Sequence, residues 1–248
     1  MSPMSDSASS AAAEPAPVQI LGPTVFFTGA GISVGAGLPT YRGTGGLYQD
    51  SDLSPPHASD LVPERLPGLW ARFRDRLNAA ALITPSAAHL HIAELQGRHS
   101  SPITVVTQNV DGLHTIAGST SVIELHGTLR TMRCLGPGHV SGFDSAIWVD
   151  DLPTCPTCGQ ACRPDVVLFG ESLPERAWAQ AEEAMANAHT VVAVGTSAQV
   201  YPAALLLLTP VRDAHLKIWI NPETEPPGPE WNWLQGAADA QVPRLISA

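Results

Sequence analysis

An α/β chain built on a doubly wound parallel sheet, with a smaller inserted module, is what three features of this sequence predict. Four short apolar runs each stop at small and polar residues, segments of helical spacing lie between them, and one Cys-bearing stretch interrupts the alternation. The runs are Thr24-Val-Phe-Phe27 before Thr-Gly-Ala-Gly31, Ile103-Thr-Val-Val106 before Thr-Gln-Asn-Val-Asp111, Thr190-Val-Val-Ala-Val194 before Gly-Thr-Ser197, and Leu216-Lys-Ile-Trp-Ile220 before Asn-Pro-Glu223. Each is too short for a helix and rich in β-branched residues, the pattern of a buried parallel strand. Ligands of open α/β sheets bind beyond the carboxyl ends of the strands. Four such ends bearing Gly, Ser, Asn, Asp and Glu therefore predict the walls of one nucleotide site in a Rossmann-like core.

The elements follow in order. Residues 1–17 are rich in Ser, Ala and Pro, have little to bury, and read as a disordered tail. After the first strand comes a Gly- and Pro-rich stretch from Gly43 to Pro67. Leu69 to Leu82 has helical spacing (Leu69, Phe73, Leu77, Ala80), and Pro85 and Ser86 start a second helix that runs to Gln96. Residues 130–165 hold all four Cys and break the strand–helix rhythm as an inserted module. Pro174 opens a helix that runs to His189. One folded unit over 18–248 results, with its core at about 18–43, 98–129 and 164–248 and a smaller lobe at about 44–97 and 130–163.

The net charge of −10 argues against nucleic acid as a partner, because a phosphate grip wants a basic face. The N-terminus has neither a basic nor an apolar signal region, and no apolar stretch is long enough to cross a membrane. The run Pro202-Ala-Ala-Leu-Leu-Leu-Leu208 reads as a buried helix. A cytoplasmic location without membrane partners is expected, and there the four Cys are metal ligands or core thiols rather than disulfides. Cys155-Pro-Thr-Cys158-Gly is a zinc-knuckle pattern with Cys134 upstream. Zinc wants four ligands, and Pro137 stands where a second Cys-x-x-Cys would place the last one, which leaves His139 or Cys162.

Gly29-Ala30-Gly31-Ile32-Ser33 sits where a strand enters a helix, so backbone can approach a pyrophosphate closely and the helix start attracts its charge. The dehydrogenase fingerprint is not met. Position 34 is Val, the third Gly falls at 35, and Asp50 and Asp52 lie in a loop rather than at a strand end. Hydride transfer is disfavoured, and ribose recognition is expected from Asn221 and Glu223.

These motifs together resemble the sirtuins, NAD-dependent protein-lysine deacylases. The matching text is Gly29-Ala-Gly-Ile-Ser33, Gly37-Leu-Pro-Thr-Tyr-Arg-Gly43, Thr107-Gln-Asn-Val-Asp-Gly-Leu-His114, Glu124-Leu-His-Gly127, Arg163-Pro-Asp-Val-Val-Leu-Phe-Gly-Glu171, Gly195-Thr-Ser197 and Asn221-Pro-Glu223, in family order. The resemblance implies that an acyl group passes from lysine to ADP-ribose with loss of nicotinamide. By position it makes His126 the general base, Asn109 its catalytic companion, and Gln108, Asn109 and Asp111 the lining of the nicotinamide pocket. It places Gly29, Ala30, Gly31, Ile32, Tyr41 and Arg42 near the phosphates and reaction centre. Gly195, Ser197, Asn221, Glu223 and Ala238 fall on the adenosine side. Val167, Phe169 and Gly170, within Val166 to Glu171, would pair with the acylated protein as an added strand.

Three departures bear on chemistry. Tyr41 stands where the family has Phe, and Ala36 where it has Ser. Phe73-x-x-Arg76 resembles the Tyr-x-x-Arg of the branch that removes acidic acyl groups, so Arg76 is expected to meet a succinyl or malonyl carboxylate without the phenol donor. Two competing readings are an ADP-ribosyltransferase using the same site and a non-catalytic NAD-sensing module. Intact His126 and Asn109 argue against the second.

Overall fold

The computed structural model describes residues 16–41, 46, 55–81, 83–143, 152–208 and 214–248, with backbone alone over 74–81. The tail expected at 1–17 lies almost wholly outside this set. The chain opens with β1 (Val18–Ile20), β2 (Thr24–Thr28), a 3-10 helix (Ala30–Ala36), α1 (Leu66–Ala81), α2 (Ala87–Arg98), β3 (Ile103–Thr107), α3 (Leu113–Ile116) and β4 (Val122–Glu124). It continues with β5 (Gly127–Cys134), β6 (Val140–Gly142), β7 (Cys162–Val166), α4 (Glu175–Ala186), β8 (Thr190–Val194), α5 (Leu205–Leu208), β9 (Leu216–Asn221), β10 (Asn232–Gln235), α6 (Ala238–Gln241) and β11 (Leu245–Ser247).

The four apolar runs are β2, β3, β8 and β9, and they form the middle of a six-stranded parallel sheet in the order β10-β9-β8-β2-β3-β4. Every residue of β2 and β8 is buried, which is why these strands read as continuous rather than alternating apolar runs. Successive side chains still go to opposite faces. Phe26, Val105, Val192 and Ile218 pack with Ala88, Ile92 and Leu95 of α2 on one face. Val25, Phe27, Val106, Val191 and Trp219 pack with Ala181 and Met185 of α4 and with Leu206 and Leu207 of α5 on the other. The Leu205–Leu208 run is therefore half buried, since Leu205 and Leu208 face outward. No described helix is long and apolar enough to cross a membrane.

The smaller lobe is α1 against a three-stranded antiparallel sheet in the order β6-β5-β7. Leu66, Leu69, Trp70 and Phe73 pack on Leu129, Cys134, Cys162 and Val166, and the Trp70 indole donates to the Cys162 carbonyl at 2.8 Å. Two lobe boundaries differ from the sequence reading. Helix α2, expected in the smaller lobe, belongs to the core, because its apolar face meets the parallel sheet. Strands β5 and β7 begin and end inside segments assigned to the core, and their pairing from Gly127↔Val166 to Cys134↔Cys162 joins the lobes.

Candidate active site

The carboxyl ends of β2, β3, β8 and β9 converge, as the strand order requires. After β2 the chain turns at Gly29 into the 3-10 helix rather than an α-helix, and the Gly31 amide donates to the Gly195 carbonyl at 2.9 Å. The two glycines pack backbone to backbone. A Cβ on Gly31 would lie 2.6 Å from the Gly195 Cα, and one on Gly195, whose φ is +60°, would lie 2.5 Å from the Gly31 carbonyl carbon. Only side-chain-free backbone fits here, so the main chain itself lines the cleft at this turn.

The end of β3 locks this turn. The Asn109 amide donates to the Gly29 carbonyl at 3.1 Å and to the Ser33 hydroxyl at 3.2 Å. Ser33 donates in turn to Asp111 at 2.8 Å, and the second Asp111 oxygen accepts from the Leu113 amide at 2.9 Å. Gln108 donates to the Thr196 hydroxyl at 3.0 Å. At the end of β9, the Asn221 amide donates to the Thr196 carbonyl at 2.9 Å, while its oxygen accepts from the amides of Glu223 and Thr224 at 3.0 and 2.8 Å.

His126 follows β4. Its Nδ1 lies 2.8 Å from the Gln108 carbonyl, which can only accept, so Nδ1 carries the proton and Nε2 keeps its lone pair. Burial lowers the His126 pKa below the ordinary histidine value, while the bond to Gln108 pulls it the other way. The ring is neutral near pH 7. The His126 carbonyl accepts from the Val167 amide at 2.8 Å, so the imidazole and the Val166–Glu171 segment share one backbone bond.

These groups open onto one cleft of about 1010 Å³. Gly29, Ala30, Gly31, Tyr41, Gln108, Asn109 and His126 line it, as do Gly195, Ser197, Asn221, Glu223 and Ala238. Phe73, Val167, Phe169 and Gly170 complete that set. Two expected lining residues lie elsewhere. Ile32 sends a fully buried side chain into the core, because it falls on the inward face of the 3-10 helix. Asp111 is a brace, both of its oxygens being engaged by Ser33 and Leu113. Asn221 lines the cleft with its amide already bonded, so Glu223 supplies the carboxylate at that wall. Arg42 and the Arg76 side chain fall outside the described residues. Thr196, Val34 and Tyr201 also line the cleft. Thr196 stood inside a quoted motif; the other two carried no signal in the sequence.

The Sir2 family model matches residues 29–202, which spans every one of these walls except the end of β9 and its sequel. The chain belongs to the Sir2 family. Among its relatives, the NAD-dependent protein deacylase of Thermus thermophilus is 41% identical over 205 residues, covering 80% of this chain and 79% of that one. NAD-dependent protein deacylase 2 of Pyrobaculum aerophilum is 39% identical over 226 residues, covering 90% and 89%. Among solved structures, a mutant Sir2 homologue in complex with ADP-ribose has a TM-score of 0.79 at 34% identity, with 89% of this chain and 88% of the other covered. A Sir2 homologue–NAD complex has a TM-score of 0.76 at 35% identity, with 89% and 86% covered.

The sirtuin's second lobe carries a metal-ligand set. One ligand atom each from Cys134, His139, Cys155 and Cys158 lies within 4.8 Å of the others. Cys134 and Cys158 sulfurs are 3.8 Å apart, and Cys155 sulfur is 3.6 Å from His139 Nδ1. A zinc tetrahedron with Zn–S of about 2.3 Å and Zn–N of about 2.0 Å has edges of roughly 3.8 and 3.5 Å, so the set fits zinc. Of the two candidates for the fourth ligand, the structure selects His139. Cys162 lies fully buried in the lobe core, where burial pushes its thiol up to about 11. At Cys155 burial also raises the pKa, but the amides of Thr157 and Cys158 and the His139 ring outweigh it and bring it down to about 6, which favours the thiolate a metal needs. Four protein ligands leave no open position, the mark of a structural site. Purified sirtuin should carry one zinc per chain by elemental analysis, and Cys155→Ser with Cys158→Ser should lose it and melt at lower temperature. Metal-free wild-type protein would mean that packing alone holds the lobe.

Proposed function

We propose that this sirtuin is an NAD-dependent protein-lysine deacylase in which His126 is the general base. The observation that carries the reading is the Nδ1 bond to Gln108, which fixes the tautomer that leaves Nε2 basic at the cleft. NAD supplies the electrophilic ribose carbon and, as ADP-ribose, the acceptor of the acyl group. The Gly31–Gly195 contact supports its phosphates lying at the first turn, and Glu223 supports a ribose hydroxyl at the end of β9. Asn109, anchored to Gly29 and Ser33, and Gln108, anchored to Thr196, hold the nicotinamide end. Among the described residues, the Val167 carbonyl and both backbone groups of Gly170 are without partners, which supports a substrate strand adding there.

Phe73 gives the acyl end of the cleft an apolar wall. Acetyl is accordingly the preferred group, with succinyl and malonyl dependent on Arg76. Acetyl, succinyl and malonyl peptides incubated with NAD, with products read by mass, test the function. Free lysine with an O-acyl-ADP-ribose supports it. ADP-ribose added to protein without free lysine would make the chain a transferase, and no product at all would make it a binding module. Phe73→Tyr adds a donor where an acidic acyl group would end. Desuccinylation should rise up to ten- to a hundredfold, the size of about one charge-assisted hydrogen bond, while deacetylation changes little. Parallel shifts on both substrates would make the α1 position purely structural.

A further inference from the structure

Arg163 is a buried charge outside the chemistry described above. It lies on β7 of the smaller lobe, and its guanidinium makes four bonds. Nη1 and Nη2 donate to the two oxygens of Glu171 at 2.6 and 2.8 Å, Nη2 also donates to the Val166 carbonyl, and Nε donates to the Pro164 carbonyl at 3.1 Å. Glu171 closes the loop, for the oxygen that meets Nη2 also accepts from the Leu168 amide at 2.7 Å. The fork thus grips the Val166–Glu171 segment at its beginning and end, and Glu171 ties in the middle through the Leu168 amide. Two further bonds hold its outer edge, with the Phe169 amide donating to Pro56 at 3.1 Å and the Ala58 amide donating to Phe169 at 2.8 Å. Among the described residues, the Val167 carbonyl, the Gly170 backbone and the Glu171 carbonyl are without partners.

We propose that Arg163 and Glu171 are positioning residues that hold the Val166–Glu171 segment in the shape onto which the acylated protein adds as a strand. The proposal rests on the deacylase reading and on the placement of substrate at that segment. Neither residue reaches the glycine turn of the nucleotide site. Their bonds are to the peptide-side wall, which meets the base's own backbone through the bond from Val167 to the His126 carbonyl and the adjoining Gly127–Val166 pairing. A segment that must be ordered at the moment of binding weakens peptide affinity without touching the cofactor's own contacts. An Arg fork matches a carboxylate with two parallel bonds, which Lys cannot reproduce.

The test uses full-length Glu171→Gln, Glu171→Ala and Arg163→Lys with an acetyl-lysine peptide, reading peptide KM, kcat and, separately, NAD Kd by calorimetry without peptide. Glu171→Ala should raise peptide KM about ten- to a hundredfold, the worth of a charged hydrogen bond. Glu171→Gln keeps the shape and one acceptor oxygen, so it should fall between Glu171→Ala and wild type. Arg163→Lys should resemble Glu171→Gln. NAD Kd should stay within about twofold in all three. Should Glu171→Ala fail to fold, the other two variants carry the test. Peptide KM within fivefold of wild type in the folded variants overturns the proposal, as does a rise of peptide KM and NAD Kd together, which would mark a general structural role. Inactive wild-type protein would instead defeat the deacylase reading on which the proposal stands.

Discussion

Replacing His126 with Ala should lower deacylation by on the order of 10²–10⁴-fold while NAD still binds with near wild-type affinity. Only Nε2 faces the chemistry, and the Nδ1 bond to Gln108 is its positioning contact, so truncation removes a proton acceptor without opening the glycine turn. A variant retaining more than about a tenth of the wild-type rate would place the base elsewhere. The same ring sets the pH dependence. As the proposed base it would work in its neutral form, and burial holds its folded pKa below the ordinary value of about 6.5. The rate should therefore be level around neutrality and decline on the acid side, with the limb centred below pH ~6.5. A limb centred at or above neutrality would belong to another group.

A second large effect is expected at Gly195. An added Cβ would press on the Gly31 carbonyl carbon at 2.5 Å, where both partners are backbone and neither side chain can yield. The φ of +60° adds the left-handed penalty of roughly 1–2 kcal/mol to an overpacking cost of about 1–3 kcal/mol. Gly195→Ala should lower Tm by roughly 5–15 °C and weaken NAD binding at least about tenfold. Gly97 is a fitting control, since its Cβ would meet nothing within 4 Å and it lies inside α2. Gly97→Ala should be neutral or slightly stabilising. Equal Tm values for the two variants would mean that the two turns can part without consequence.

The centre of the fold was legible because burial on both faces leaves a plain signature. Strands β2, β3, β8 and β9 appear as apolar runs, and the polar residues that end them are the walls of the cleft. The outer strands were not. Strands β1, β4 and β10 have three or four residues each, half-exposed, and no run that short differs from a loop in composition. Helix α2 was legible as a helix but not as a part of the core, because spacing identifies an apolar face without naming the sheet it meets. The fourth metal ligand followed the same logic. The spacing from Cys134 offered Pro137, and only the turn that brings His139 back beside Cys155 decides between it and Cys162. Asp111 sat in a motif whose polar residues all looked available, and its engagement by Ser33 depends on a contact across the sheet.

The strand order has a consequence for how the chain reaches this state. Strand β2 has two partners, and one of them, β8, lies far downstream of it along the chain, with Val25 beside Val191. Closing so long a loop costs entropy before any contact repays it, which makes high-contact-order parallel sheets slow to form. During synthesis Phe26 and Phe27 have one flank covered by β3 and the other bare until residues 190–194 emerge. A ribosome-bound chain ending before β8 should therefore remain protease-sensitive throughout the sheet, and the glycine contact, whose second half is Gly195, cannot exist until that strand docks.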